Sequence, residues 1–168
     1  MAEVDERYLI DSAEKNLQRQ IEWVSRVETR SSLIFGISVG MLGYLASILP
    51  HFSIWPCWFI FLLIATLGLK IAVIGFLFRA QFPRTEAPKP SLIFFGEIVK
   101  FDLDEFMRRA KSCDWEQYLD DLLAQTHVNG QIVSSKFIFV KRAMISLLIS
   151  SIFWFPAVLF ARMLTPLS

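Results

Sequence analysis

The chain has 168 residues, 54% of them hydrophobic, and a net charge of +1, so whole-chain charge carries no information about partners. Two stretches lack acids, lysines and arginines altogether, Ser31 to Leu69 (39 residues, broken only by Pro50, His51 and Pro56) and Ala143 to Ala161 (19 residues). A bilayer core takes about 20 apolar residues per helix, so the first has room for two spans and the second for one. With three spans set aside, about 100 residues remain for water, too few for a typical enzyme fold. Cys57 and Cys113, one in a span and one outside, are no disulfide framework. The reading is an all-α integral membrane protein with three transmembrane helices and long cytoplasmic helical extensions.

In chain order, Met1 to Arg30 reads as a cytoplasmic amphipathic helix. Ile10, Ala13, Leu17, Val24 and Val27 form its apolar stripe, and Ile21 fills most of the gap. These first 30 residues are charged throughout and show no secretory signal peptide, so the first span is expected to direct insertion. Nothing stops the helix at Arg30, which predicts that it runs on into the first span. A transmembrane hairpin over 31–79 follows, with spans at 31–49 and 54–79 and a tight turn at Pro50, His51, Phe52 and Ser53. Pro56 falls in the first turn of the second span, where proline is tolerated. Lys70 sits about one turn inside the cytoplasmic boundary, where a lysine can snorkel to the headgroups; an ion-pathway or gating role is the other reading. Gly36, Gly40 and Gly43 share a face of the first span, and Gly68, Ala72 and Gly75 do much the same in the second. Small residues let helices approach closely in lipid, either within the hairpin or between subunits.

Residues 80–142 form the cytoplasmic helical region, and 143–163 the third span. The linker QFPRTEAPKP (Gln81–Pro90) leads into the apolar run SLIFFG (Ser91–Gly96). Asp102 starts a short helix as its cap, with Glu105 reaching back as the capping-box partner. Leu103, Phe106, Met107 and Ala110 make its apolar face. A second capping signature, Asp114 with Gln117, opens a helix expected from about 115 to 163, roughly 70 Å long at 1.5 Å per residue. Asn129-Gly130 is its weak point, and Pro156 is expected to kink it.

Lysine and arginine counts give the orientation. Residues 1–30 hold five and residues 79–142 hold ten, whereas the 50–53 turn holds none and the tail after the third span only Arg162. The N-terminus is therefore expected in the cytoplasm and the C-terminus outside, with Trp55 and Trp58 in the outer aromatic belt.

No catalytic constellation, metal-ligand spacing or nucleotide-binding glycine loop is present, so the chain is not read as an enzyme and neither metal nor cofactor is expected. No nucleic-acid polymer is expected as a partner. Arg108, Arg109 and Lys111 cluster at the end of the short helix, beside Trp115. Arginine forks suit a phosphate, and Trp115 or Tyr118 could stack on a base; a solvated face is the plain alternative. Lys136, Lys141 and Arg142 lie on the membrane-proximal part of the long helix, with Arg26 and Arg30 at matching depth on the N-terminal helix, and Lys141, Arg142 and Arg30 read as headgroup anchors or as part of the same basic system.

Three pieces in order resemble one family. They are ETRSSLIFGISVGMLGYLA at the first span, LIFFGEIVKFDLDEF in the middle and DLLAQTHVNGQIVSSKFIFVKRA in the long helix. This arrangement is similar to the Pycsar transmembrane effectors, related in plan to SLATT-type effectors. The resemblance implies a bacterial antiphage effector of the inner membrane. It would respond to a cyclic pyrimidine mononucleotide, cyclic UMP or cyclic CMP, from a cognate cyclase, and would disrupt the membrane in abortive infection. It also implies motif or coupling roles for Glu28, Arg30, Phe94, Phe95, Gly96, Gln125, His127 and Lys136, with Arg142 beside them. On physical grounds, a site joining Arg108 or Arg109, flanked by Lys111 and Trp115, to Gln125 or His127 is expected to supply a phosphate contact and base-edge hydrogen bonds. Glutamine both donates and accepts, as reading a pyrimidine edge requires. A homo-oligomer is expected, because three spans cannot enclose a pore alone. The competing reading is a non-toxic membrane scaffold or signalling adaptor that binds a protein partner through its cytoplasmic helices.

Overall fold

A computed structural model describes residues 5–82 and 91–164. Among them every regular element is helical: α1 (Glu6–Ser47), α2 (Cys57–Gln81), α3 (Phe95–Ile98), α4 (Leu103–Ser112) and α5 (Trp115–Leu164), with a 3-10 turn at Phe52–Ile54. The start of the chain and most of the proline-rich linker lie outside the described residues.

The expected run of the N-terminal helix into the first apolar stretch holds: α1 is continuous over 42 residues. It ends at Ser47, two residues before the expected Leu49. The 50–53 turn is built by His51, whose ring nitrogen meets Ser53 Oγ at 2.7 Å, and by Trp55, whose indole donates to Pro50 O at 3.0 Å. Pro56 is the cap of α2 and not part of its first turn. Having no N–H, it suits the position just ahead of a helix. Two helices, α2 and α5, are long and apolar enough to cross a membrane.

The chain packs as two units. One comprises the chain up to Arg26 and the segment that ends at Ser135; the other comprises Val27–Phe82 and the segment from Lys136 onward. In the first unit, Ala13 and Leu17 of α1 close over Leu122 of α5, with Ile10, Ile93, Tyr118 and Leu119 around them. Ile21 does not join this stripe and is half exposed, because the buried spacing of three and four runs through Gln20 and Val24 instead. Gln20 Oε1 lies 3.9 Å from where a Cβ on Gly130 would stand. The Asn129-Gly130 pair leaves α5 unbroken, and Asn129 donates from its side chain to Gln125 O at 2.9 Å.

The expected apolar face of α4 is not a packing face. No residue of this helix is buried, and Leu103 and Met107 are exposed. Its capping box is half formed: Asp102 Oδ1 accepts from Glu105 N at 2.7 Å, but the Glu105 carboxylate turns along the helix to Arg108 and Arg109. Two guanidinium groups at i+3 and i+4 attract that carboxylate more strongly than one backbone N–H.

In the second unit, α1, α2 and α5 pack around two apolar clusters. One joins Val27 and Ile34 to Val73 and Leu77 and to Val140, Ala143 and Leu147. The other joins Leu45 to Phe59 and Leu63 and to Ala157, Val158 and Ala161. Residue numbers rise together in α1 and α5 and fall in α2, so α2 runs antiparallel to both. Lys70 does not snorkel. It is 1% exposed, and its Nζ donates to Met41 Sδ at 3.0 Å. The cause is its register, since it occupies the inward stripe Thr66, Lys70, Val73, Leu77 and Ala80. The glycines reverse the expectation of a close hairpin: Gly36, Gly40, Gly43, Gly68 and Gly75 are all exposed, and a Cβ on any of them would meet nothing within 4 Å.

Candidate functional site

A hollow of about 290 Å³ opens in the first unit where α4 meets the start of α5. Arg109 of α4 lines it together with Gln117, Tyr118 and Asp121 of α5 and with Ser91 and Phe101 from the segment between. Local chemistry places each group. Asp114 caps α5, its Oδ1 accepting from Gln117 N at 2.8 Å, and this presents Gln117 and Tyr118 on the first turn. Asp121 Oδ2 accepts from Ser91 Oγ and from Leu92 N, both at 2.9 Å. Ser91 Oγ in turn accepts from Ile93 N and Phe94 N at 3.1 and 2.9 Å. One carboxylate and one hydroxyl thereby pin the start of the SLIFFG run to α5.

Arg109 is held from two sides. Its Nε donates to Glu105 Oε1 at 2.5 Å, and its guanidinium lies 4.7 Å from the centre of the Phe101 ring. The Tyr118 hydroxyl donates to Glu14 Oε1 at 2.9 Å, tying α5 to α1. Burial, then the hydrogen bond to Glu14 and the charges of Glu14, Asp121 and Cys113, hold the Tyr118 phenol above its ordinary pKa. Burial, followed by Asp114 and Asp121, likewise raises the Cys113 thiol, which makes it a poor nucleophile at neutral pH. The hollow thus combines a cation, hydroxyl and amide donors and aromatic surface. Asp121 adds a carboxylate to the same lining. Among the described residues no cluster of metal-ligating side chains occurs.

Of the residues expected at a ligand site, Arg109 lines this hollow, as does Tyr118, one of the two aromatics read as able to stack on a base. Arg108 is exposed and paired with Glu105; Lys111 is exposed. Trp115 begins α5 and is 37% exposed. Gln125 is buried at 4% exposure, and His127 is exposed, its Nε2 lying 3.0 Å from Gln131 Nε2. Asp121 and Ser91 were missed by sequence reasoning. The only available signal was an acid on the otherwise apolar α5 stripe, facing a serine that opens a short apolar run.

The remaining motif residues fall in two places. Lys136 is buried, and its Nζ meets Glu28 Oε1 at 2.6 Å within the second unit, an ion pair between segments 108 residues apart. Arg30 lines, with Lys141, Leu33, Phe137 and Met144, an apolar hollow of about 380 Å³. The Arg142 guanidinium lies 5.9 Å from the Phe139 ring centre. In the SLIFFG run, Phe95 is exposed, and Gly96 leaves room for the Phe94 ring: a Cβ there would stand 2.6 Å from Phe94 Cε1.

A family model for the Pycsar effector protein domain matches residues 12–162. No curated protein and no solved structure matches the chain.

Proposed function

Because the chain belongs to the Pycsar effector family, we propose that it is an antiphage effector that answers a cyclic pyrimidine mononucleotide by disrupting the bacterial inner membrane. The observation that carries this reading is α5. One unbroken helix supplies Gln117, Tyr118 and Asp121 to the Arg109 hollow and, further along, an apolar segment long enough to cross a bilayer. At about 290 Å³ the hollow is close to the small end of the ~300–1,000 Å³ typical of ligand sites, a size compatible with one mononucleotide. In this reading Arg109 contacts the phosphate, and Gln117 and Tyr118 meet the ribose or base. Arg108, Lys111 and Trp115 flank the site, while Gln125 and His127 act one or two turns further along α5. Glu28, Arg30, Phe95, Gly96, Lys136 and Arg142 couple the ligand to the spans.

The apolar part of α1 serves as a third span, with the N-terminus cytoplasmic, the C-terminus outside and several copies assembling to breach the membrane. Binding must favour one of two arrangements by differential affinity, and the Glu105 carboxylate that holds Arg108 and Arg109 gives such a choice: ligand phosphate competes with it for Arg109.

The test is calorimetric titration of the full chain in detergent with cyclic UMP and cyclic CMP. One of them is expected to bind, and Arg109→Ala to lower affinity about tenfold or more, as loss of a charged hydrogen bond does. Absence of binding by either nucleotide, or an unchanged affinity in Arg109→Ala, overturns the reading. The exposed apolar face of α4, Leu103 and Met107 above all, favours one alternative, an adaptor that binds a protein partner there. Its mark is capture of a partner without any dye leakage from vesicles.

A further inference from the structure

Between the two apolar clusters of the second unit lies a layer of buried polar side chains. On α1, Ser38 falls between Ile34 of one cluster and Leu45 of the other. On α2, Thr66 and Lys70 fall between Leu63 and Val73; on α5, Ser150 falls between Leu147 and Ala157. Ser38, Thr66 and Ser150 are 0% exposed and Lys70 is 1% exposed. Met41 joins the three helices at this level, accepting from Lys70 Nζ through its sulfur at 3.0 Å and from Trp154 Nε1 through its carbonyl at 2.9 Å.

The donors in this layer exceed the acceptors placed to meet them. Serines elsewhere in the same helices donate back to the preceding turn, as Ser31 does to Val27 O and Ser151 to Leu147 O. The hydroxyls of Ser38, Thr66 and Ser150 have no hydrogen-bond partner among the described residues. The ammonium of Lys70 has three protons and, for acceptor, a thioether, which is a weak one. No carboxylate among the described residues pairs with it. Ionisable groups buried at bilayer depth pair with an opposite charge or with carbonyl groups, and neither acid-free stretch supplies a charge. A metal cation is repelled by the lysine. Water would satisfy the hydroxyls and leave the charge uncompensated.

We propose that Lys70, with the hydroxyls of Ser38, Thr66 and Ser150, binds a small monovalent inorganic anion of the chloride type between the membrane-crossing helices. The inference rests on reading these helices as membrane-embedded. Within the effector reading, it makes the opened path selective for anions.

The test is chloride-35 NMR on the full chain in detergent, titrated with sodium chloride. Wild type is expected to broaden the chloride line beyond detergent alone, bromide to compete, and Lys70→Met to lose at least tenfold of the excess broadening with helical circular dichroism unchanged. Ser38→Ala and Ser150→Ala, which keep the charge and disturb packing least, are expected to weaken chloride about tenfold each, and they decide the matter should Lys70→Met not fold. No excess broadening in wild type, or broadening unchanged in the folded variants, overturns the proposal. A parallel vesicle-leakage assay separates the two readings. Chloride binding without nucleotide-triggered leakage sinks the effector function and keeps the anion site; leakage without chloride binding does the reverse.

Discussion

The pair Glu28–Lys136 is asymmetric. Lys136 is buried, with its side chain 6% exposed, while the Glu28 side chain is 45% exposed. Removing the carboxylate strands a buried ammonium, whereas removing the lysine returns a carboxylate to water. Glu28→Ala is therefore expected to cost about 1–3 kcal/mol, and Lys136→Met, which fills the same space with apolar atoms, to stay within about 1 kcal/mol. Thermal unfolding of both variants in detergent checks the order; a larger loss in Lys136→Met refutes it. Tyr118 gives a pH dependence with a defined sign. Its phenol is held above its ordinary value of 10.0, so the folded chain keeps a proton that the unfolded chain releases. The associated stability is fully present below pH 10 and is lost as pH rises through the folded-state value. Between pH 9.5 and 11, wild type should lose thermal stability faster than Tyr118→Phe, and parallel curves would contradict a phenol held up by burial and the Glu14 bond.

Helix α5 tests how an element tolerates its own weak point. Glycine inside a helix costs about 0.5–1 kcal/mol relative to alanine. At Gly130 an added Cβ meets only Gln20 Oε1, at the ordinary contact distance of 3.9 Å. Gly130→Ala should therefore raise the thermal midpoint, by up to about 1 kcal/mol of stability; a fall would mean that the glycine serves a close approach absent from this conformation. Gly96 is the opposite case, since its Cβ would strike the Phe94 ring at 2.6 Å. Both glycines were visible in the sequence, but only one is required by a neighbour. The long helices were legible to within a few residues, because hydrophobic period and capping residues are local, and Asp102 and Asp114 both cap as expected; the short helix α3 was not foreseen. The site was less so. Arg109 was recognisable as a cation near an aromatic, but Ser91 and Asp121, which line the hollow with it, lie 30 residues apart and no local pattern pairs them.

For the molecule as a whole, the outward glycines bear on assembly. Because a Cβ on Gly36, Gly40, Gly43, Gly68 or Gly75 would meet nothing within 4 Å among the described residues, a bulky replacement is expected to be harmless to a lone subunit and to obstruct a partner helix. Gly40→Leu is expected to leave helicity unchanged while abolishing chemical cross-linking of copies in native membranes; undiminished cross-linking would remove this face from any subunit contact. A reporter fused at the C-terminus should read as external in intact cells, and a cytoplasmic signal would overturn the assigned orientation.

The family resemblance, the helical class and the apolar lengths came from composition, period and motif order, because each rests on contributions that neighbouring residues make independently. Burial of Lys70 against Met41, the outward turn of the glycines, the Glu28–Lys136 bond and the absence of packing on α4 came only with the packed helices. Each depends on the rotation of one helix about its axis relative to another, and distant side chains fix that angle jointly.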